Sequence, residues 1–263
     1  MSTWVLLRGL TRESGHWAGF EQQLRQRLTA VEGGARVVAI DLPGNGTAHH
    51  RKSPTRIAAM TDDCRAQLHA LGLAPPYRLV AMSMGAMVAV DWATRDAASV
   101  AGCVLINTSL RGIAPWHWRL RPANLFTLLR VASMPLSAAD KEATILKLTS
   151  HNAAAARAVL DAWTALRSGH PVSRLNALRQ LLAAARARAP LRAPRVPLLV
   201  LASRCDALVD SRCSQRLAAR WNAPIEWHPW AGHDLPLDDG RWVAERIAEW
   251  VVRPRQVSTQ SRG

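Results

Sequence analysis

The sequence lacks an uninterrupted apolar run of about 20 residues, the length that a membrane-spanning helix requires. It has no basic region or cleavage site before the first apolar segment at residues 4–7, which argues against secretion. The four cysteines, Cys64, Cys103, Cys205 and Cys213, have no CxxC spacing, so they favour reduced thiols over a disulfide or zinc framework. We therefore expect a cytoplasmic protein without a membrane span or a metal.

Lysine is scarce: it occurs only at Lys52, Lys141 and Lys147, so arginine supplies nearly all of the formal net charge of +15. A net charge of this size suggests a nucleic-acid partner. However, the basic residues are spread along an alanine-rich chain and no RNA- or DNA-binding motif accompanies them. We expect no nucleic-acid partner; an acidic protein or an acidic substrate fits the charge better.

Short apolar segments alternate with helical patterns through most of the chain, which is typical of a parallel sheet covered on both faces. The predicted strands are residues 4–8, 36–41, 77–82, 102–107, 196–202 and 225–229. The predicted helices between them are residues 17–28, 57–71, 86–95, 211–221 and 242–252. The pattern predicts an α/β fold with a mostly parallel sheet of about six strands and helices on both faces.

One interval breaks the alternation, because no convincing strand occurs between residues 107 and 196. Helix-forming segments occupy it instead, at residues 122–132, 138–150, 153–168 and 173–189. We predict an α/β core at residues 1–110 and 191–263 with an all-helical cap at 111–190. Ligands of open α/β sheets bind at the carboxyl edge of the strands, so such a cap would roof the site.

Ser83 lies between an apolar strand and a helix-compatible segment, with Ala81 two residues before it and Gly85 two residues after. A serine on so abrupt a turn projects its hydroxyl outward, and the helix N-terminus lies behind it. Small residues on both sides allow the strand and the helix to approach closely. This arrangement predicts a nucleophilic serine.

A serine nucleophile needs a base and an acid that orients the base. His233 follows the last predicted strand in a loop that Gly232 frees, so it is the predicted base. Asp206 follows the preceding strand and is the predicted acid. Asp210, more typical of a helix N-terminus, and Asp234, which adjoins the base, are its rivals.

The developing oxyanion needs backbone donors. We expect one from the N–H of Met84, directly after the nucleophile. The other is predicted in the loop after the first strand, where Gly9 allows a sharp exit and the N–H of Leu10 is the best candidate.

With these residues the chain resembles the α/β-hydrolase superfamily over nearly its whole length. The order Ser83, Asp206, His233 is that of the superfamily, residues 41–46 (DLPGNG) are similar to its D-x-P-G-x-G loop, and Trp17 fits as well. The resemblance is closest to small capped esterases such as the carrier-protein methyl ester esterase, and the plant methylesterase and hydroxynitrile-lyase group is also similar. Serine at the elbow excludes the dehalogenases and epoxide hydrolases, which use aspartate there.

The resemblance implies a serine hydrolase that cleaves carboxylic esters of small to medium acyl groups through an acyl-enzyme, without a cofactor. Hydrolysis of a thioester or a carrier-protein-linked ester, or acyl transfer, is the alternative. A further alternative is that the protein is a member of the fold that binds a ligand without catalysing a reaction. Arg8 stands where the superfamily usually has histidine, and it could bind a substrate carboxylate or pair with Glu13.

The predicted cap is rich in apolar residues, which suggests a substrate with an apolar acyl or alkyl group. We expect Arg8, Trp17, Trp116, Phe126 and Trp163 to line the substrate pocket. Four arginines fall early in the cap and could receive an acidic carrier protein: Arg111, Arg119, Arg121 and Arg130.

Overall fold

A computed structural model of the chain describes residues 1–253, apart from the side chains at positions 132 and 133. The predicted core extends to residue 263, and its last ten residues lie outside the described range. Within that range, no helix combines the length and the apolar character needed to cross a bilayer.

Six parallel strands form a single sheet in the order β2-β1-β3-β4-β5-β6. Their bounds are β1 Ser2–Leu7, β2 Ala35–Ile40, β3 Tyr77–Met82, β4 Val100–Ile106, β5 Leu198–Ser203 and β6 Ile225–His228. Each corresponds to one predicted strand, so the predicted fold class is confirmed. The largest differences are at the starts of β1, β4 and β5, each shifted by two residues.

The register of the central strands brings their carboxyl ends to one edge of the sheet. Leu7 of β1 pairs with Ala81 of β3, Ala81 pairs with Leu105 of β4, and Ile106 pairs with Leu201 of β5. These strands are almost entirely buried, as strands covered on both faces must be. The residues that directly follow β1, β3, β4 and β5 therefore meet at this edge.

Helices cover both faces of the sheet. On one face, α1 (Phe20–Glu32) and α10 (Leu235–Val252) pack their apolar sides on the strands. On the other face lie α2 (Ile57–Ala70), α3 (Met84–Arg95) and α9 (Arg212–Trp221). The last helix begins seven residues earlier than predicted, because a short turn precedes a kink at Asp239.

Between β4 and β5, an interval whose backbone is described throughout, there are helices and isolated β-bridges of Arg111 with Ala114 and Arg188, but no strand. The α-helices are α4 (Trp116–Arg119), α5 (Leu125–Ser133), α6 (Ala138–Thr149), α7 (Ala153–Gly169) and α8 (Arg174–Arg186). The last four correspond to the four predicted cap helices, whereas the single-turn α4 was not predicted. The division of the chain at residues 111 and 190 stays a prediction.

Candidate active site

Ser83 occupies a strained turn between the last residue of β3 and the first residue of α3. Its φ of 55° and ψ of −118° lie in a region that L-residues other than glycine rarely adopt. The backbone around it holds this conformation: the Ser83 N–H donates to the Ile106 carbonyl at 2.9 Å, and the Thr108 hydroxyl donates to the Ser83 carbonyl at 2.8 Å. The structure therefore places Ser83 as the elbow pattern predicts.

Two glycines, one in α3 and one in the loop after β1, allow β1 and this loop to approach the turn closely. A Cβ on Gly85 would lie 2.3 Å from the Leu7 carbonyl oxygen and 2.6 Å from that of Arg8, distances that real side chains do not show. A Cβ on Gly9 would lie 3.1 Å from the Cβ of Ser83. The loop after β1 thus runs directly beside the serine.

His233 and Asp206 are brought together by a buried hydrogen bond of 2.7 Å between Nδ1 and Oδ2. The other carboxylate oxygen of Asp206 accepts from the backbone N–H groups of Leu208 and Val209, at 2.8 and 2.9 Å. With both oxygens engaged, the carboxylate has a fixed orientation. A proton on Nδ1 satisfies the bond to Asp206 and leaves Nε2 as the acceptor of a proton.

The two rival carboxylates have other partners. Asp210 accepts from the backbone N–H of Arg212 at 3.0 Å and from its guanidinium at 2.9 and 2.7 Å, just before α9. The hydrogen bonds from Arg212 lower the pKa of Asp210 below its usual value. Asp234 forms a two-bond ion pair with Arg8 at 3.0 and 2.6 Å. Asp206 is the carboxylate that His233 contacts.

Asn107, which the sequence analysis did not single out, holds the His233 loop from the sheet side. Its amide donates to the His233 carbonyl at 2.9 Å and to the Gly232 carbonyl at 3.3 Å. Its side-chain oxygen accepts from the Ser203 N–H at 2.9 Å, which ties the ends of β4 and β5 together. The only signal in the sequence was its position, at the carboxyl end of a predicted strand.

Asp238 and the residues at the end of α6 and just after it hold the same loop from the other side. The Asp238 carboxylate accepts from the backbone N–H of Gly232 at 2.6 Å and from that of His151 at 3.0 Å. The Asp234 N–H donates to the Thr149 carbonyl at 2.7 Å. The position of His233 therefore depends on both the sheet and the helices of the 107–197 interval.

The DLPGNG motif at residues 41–46 supports the loop after β1. Asp41 accepts from the Ser14 N–H at 2.6 Å, and the Asn45 amide donates to the Arg12 carbonyl at 2.9 Å. Gly46 has a φ of +51° and lies so close to Asp41 that a Cβ would be 2.1 Å from the carboxylate. The motif thus fixes the loop that carries Leu10.

A cavity of about 170 Å³ lies between the carboxyl edge of the sheet and the helices above it. Ser83, His233, Leu10 and Met84 all line it. Its other walls are mostly apolar, from the core side Met82, Met87, Leu208 and Val209 and from the helices Leu120, Leu128, Ile145, Leu148 and Leu181. The volume is below the usual range for drug-sized ligands.

Two of the predicted pocket aromatics lie behind the cavity wall, so that expectation is corrected. Trp17 is buried, stacks on Phe20 at a ring-centroid distance of 5.4 Å, and lies 4.9 Å from the Arg8 guanidinium carbon. Trp163 is only 1% exposed and lies 4.9 Å from the guanidinium carbon of Arg12. Both back the arginines and do not line the cavity.

Trp116 and Phe126 are also corrected, because the structure places them on the outer surface at 66% and 78% exposure. Along α5, Leu128 lines the cavity, and Phe126, two residues earlier, faces the opposite side because successive helical residues are about 100° apart. The cavity contains apolar side chains from this interval, as expected, but they are aliphatic.

Arg8 lines the cavity as predicted, but its partner is Asp234 and not Glu13. Glu13 contacts the imidazole of His170 at 2.9 Å instead. Burial alone would raise the pKa of Asp234; the charge and hydrogen bonds of Arg8 outweigh it and lower that pKa. The guanidinium of Arg8 is therefore already matched by an anion.

The four arginines early in the predicted cap have varied surroundings. Arg119 lines the cavity and donates to the carbonyl oxygens of Ala184 and Ala185, and Arg121 lies 3.6 Å from Asp210. Arg111 and Arg130 are exposed. In the described part of the chain, no group of three His, Cys, Asp or Glu residues could hold a metal ion.

The parallel sheet and the serine on a strained strand-to-helix turn define an α/β hydrolase. The sequence matches the profile of the Hydrolase_4 family, described as serine aminopeptidase, S33, over residues 3–239. The chain belongs to this family, which confirms the resemblance to the α/β-hydrolase superfamily. A comparison with curated protein sequences finds no significant match.

Solved structures share this fold at low sequence identity. The enol-lactonase from Burkholderia xenovorans LB400 is 20% identical with a TM-score of 0.75, and 95% of this chain and 91% of that chain are covered. A thermophilic esterase from Thermogutta terrifontis is 22% identical with a TM-score of 0.72, covering 95% and 89%. An esterase from Rhodococcus sp. ECU1013 is 21% identical with a TM-score of 0.71, covering 95% and 90%.

Proposed function

We propose that the protein is a serine hydrolase that cleaves carboxylic esters of small acyl groups through an acyl-enzyme. The buried hydrogen bond between Asp206 and His233 Nδ1 carries the proposal, because His233 lines the same cavity as Ser83. In the proposed reaction, the Ser83 hydroxyl attacks the ester carbonyl while His233 Nε2 takes its proton. His233 then donates that proton to the leaving alcohol and activates the water that releases the acid.

The same geometry supports the proposed oxyanion hole. The Met84 N–H is the first of α3, and the Leu10 N–H follows the glycine that approaches Ser83. Both residues line the cavity, so both N–H groups can stabilise the charge that develops on the carbonyl oxygen. The partial positive charge of the helix N-terminus adds to this stabilisation.

The charges at the cavity favour an ester over the free N-terminus of a peptide, the substrate that the family description names. An aminopeptidase has to bind the substrate's ammonium group, which requires an unpaired anion. Asp234 is already paired with Arg8, whereas Arg12 and Arg119 add positive charge to the lining. An ammonium group would be repelled there. Two of the three similar structures described above are esterases and one is an enol-lactonase, which also supports ester cleavage.

Hydrolysis of p-nitrophenyl acetate, butyrate, hexanoate and decanoate tests the proposal. We expect turnover that is highest for the short chains because the cavity is small, and a loss of at least ~10³-fold in the Ser83→Ala variant. Ser168→Ala is the matched control, since Ser168 is exposed on α7 and should retain full turnover. Equal turnover by the Ser83→Ala variant and the wild type would exclude the proposed nucleophile.

A further inference from the structure

A buried group of charges adjoins the cavity where the loop after β1 passes under the helices. Arg8 and Asp234 form one closed pair. Glu142, which is fully buried, is shared by two arginines: Arg12 Nη1 lies 2.6 Å from one carboxylate oxygen, and Arg167 Nε lies 2.5 Å from the other. Three guanidinium groups thus face two carboxylates.

The neighbouring histidine, His16, adds no charge to this group. Burial and the adjacent charges of Arg12 and Arg8 lower the pKa of His16 far below its usual value, so this imidazole is neutral. Within these five side chains the guanidinium groups therefore outnumber the carboxylates by one. Burying a charge is costly, and burial lowers the pKa of Arg12 even against the attraction of Glu142.

Arg12 also has a donor with no acceptor. Its side chain is 8% exposed and lines the same cavity as Ser83, and its Nη2 is buried without a hydrogen-bond partner. Trp163 covers one face of the guanidinium, and Glu142 occupies Nη1. An anionic oxygen brought next to Nη2 would give its unpaired N–H groups an acceptor.

We propose that the substrates are esters whose acyl chain ends in a carboxylate, which Arg12 Nη2 binds while Ser83 attacks the ester carbonyl. This proposal rests on the proposed function and narrows it to half-esters of short dicarboxylic acids. Arg8 cannot take this role without losing Asp234. Both Nη groups of Arg119 already donate to the Ala184 and Ala185 carbonyls, so we assign the anion site to Arg12. The products are the free dicarboxylic acid and an alcohol.

Matched ester pairs test the proposal. The half-esters are ethyl hydrogen succinate, glutarate and adipate. Each is compared with the neutral ethyl ester in which an isopropyl group replaces the carboxylate, and released ethanol is measured. A hydrogen bond to an ionised group is stronger than one between neutral groups. We therefore expect kcat/KM to favour at least one half-ester over its neutral partner by ~10-fold or more. A preference for the neutral ester at all three lengths would overturn the proposal.

Variants of the two arginines that pair with Glu142 test which residue causes the preference for charged over neutral esters. Arg12→Met should reduce the charged-to-neutral ratio at least ~10-fold. Arg167→Met is the control, because Arg167 also pairs with Glu142 but does not line the cavity, and it should keep the ratio within ~3-fold. Arg12→Lys keeps a cation beside Glu142 but removes Nη2; it should also lower the ratio, and it decides the matter if Arg12→Met does not fold. An unchanged ratio in the folded Arg12 variants would overturn the proposal.

A binding measurement separates this proposal from the proposed function. Calorimetric titration of the Ser83→Ala variant with the preferred half-ester should show binding, and Arg12→Met in that background should weaken it at least ~10-fold. Binding without turnover by the wild type would contradict ester hydrolysis and leave the anion site standing. Turnover of neutral esters with no binding of any half-ester would contradict the anion site alone.

Discussion

The carboxyl edge of the sheet and the helices above it position their side chains in different ways. At the edge, Ser83, Asn107 and Ser203 are held in place by strand register and by hydrogen bonds that are nearly all buried. In the helices, an apolar residue can face the cavity, as Leu128 does, or face solvent, as Phe126 does. Both residues are apolar and both lie on α5, so residue type alone does not indicate which of them faces the cavity.

The difference shows where local sequence is sufficient and where packing decides. Residues that directly follow a buried parallel strand lie at the carboxyl edge of the sheet, where the strands end. A helical residue changes direction by about 100° at each step, so a small rotation of the helix exchanges lining residues for surface residues. We therefore expect substitutions at the edge to have large effects on catalysis and those in the helices to tune specificity.

The largest effect is expected for the carboxylate at the edge. Asp206→Asn should lower ester turnover by about 10³- to 10⁴-fold, because an amide donor in place of the carboxylate disfavours the Nδ1-protonated tautomer and the imidazolium. Asp210→Asn, four residues later, is the matched control and should retain turnover within ~3-fold, since its partner is Arg212. Steady-state kinetics on a short p-nitrophenyl ester measures both. The reverse order of the two losses would move the acid to Asp210.

Substituting one glycine in each region by alanine shows how well the sheet edge and the helices above it tolerate an added methyl group. Gly85→Ala should lower the free energy of unfolding by roughly 3 kcal/mol or more, since the new Cβ overlaps the carbonyl oxygens of Leu7 and Arg8. Gly169→Ala, at the end of α7 with nothing within 4 Å, should raise it by up to about 1 kcal/mol. Urea denaturation of both variants checks this. Comparable stability of the two would mean that β1 and α3 are less close than described.

The smallest effect is expected within the helices and concerns specificity. Leu148→Ala enlarges the cavity and should shift the preferred acyl chain toward longer esters, by ~3-fold or more in the ratio of hexanoate to acetate turnover. Phe126→Ala removes an exposed ring and should leave that ratio unchanged. If the Phe126 variant changed the chain-length profile and the Leu148 variant did not, the pocket would lie on the other side of α5.

Much of the fold could be predicted because its signals are local. All six strands were identified from short apolar segments, and the position of Ser83 followed from the strand, the two small residues and the helix start. The Asp206–His233 contact could be predicted from the two strands that precede these residues, once a parallel sheet was assumed.

The remaining features depend on distant parts of the chain. Arg8 and Asp234 are 226 residues apart in sequence, and nothing near either one indicates the pair. The hydrogen bonds of Asn107 and Asp238 to the His233 loop likewise depend on how β4 and α10 pack. The direction of Phe126 depends on the rotation of α5 against its neighbours, which no local pattern specifies.

Identification of the serine that reacts with a fluorophosphonate probe tests the central claim most directly. Ser83 and Ser109 both line the cavity, but only Ser83 lies on the elbow. Mass spectrometry of the labelled, folded protein should find the probe on Ser83 alone, with labelling lost in the His233→Ala variant. Labelling of Ser109, or no labelling of the folded wild type, would contradict the account.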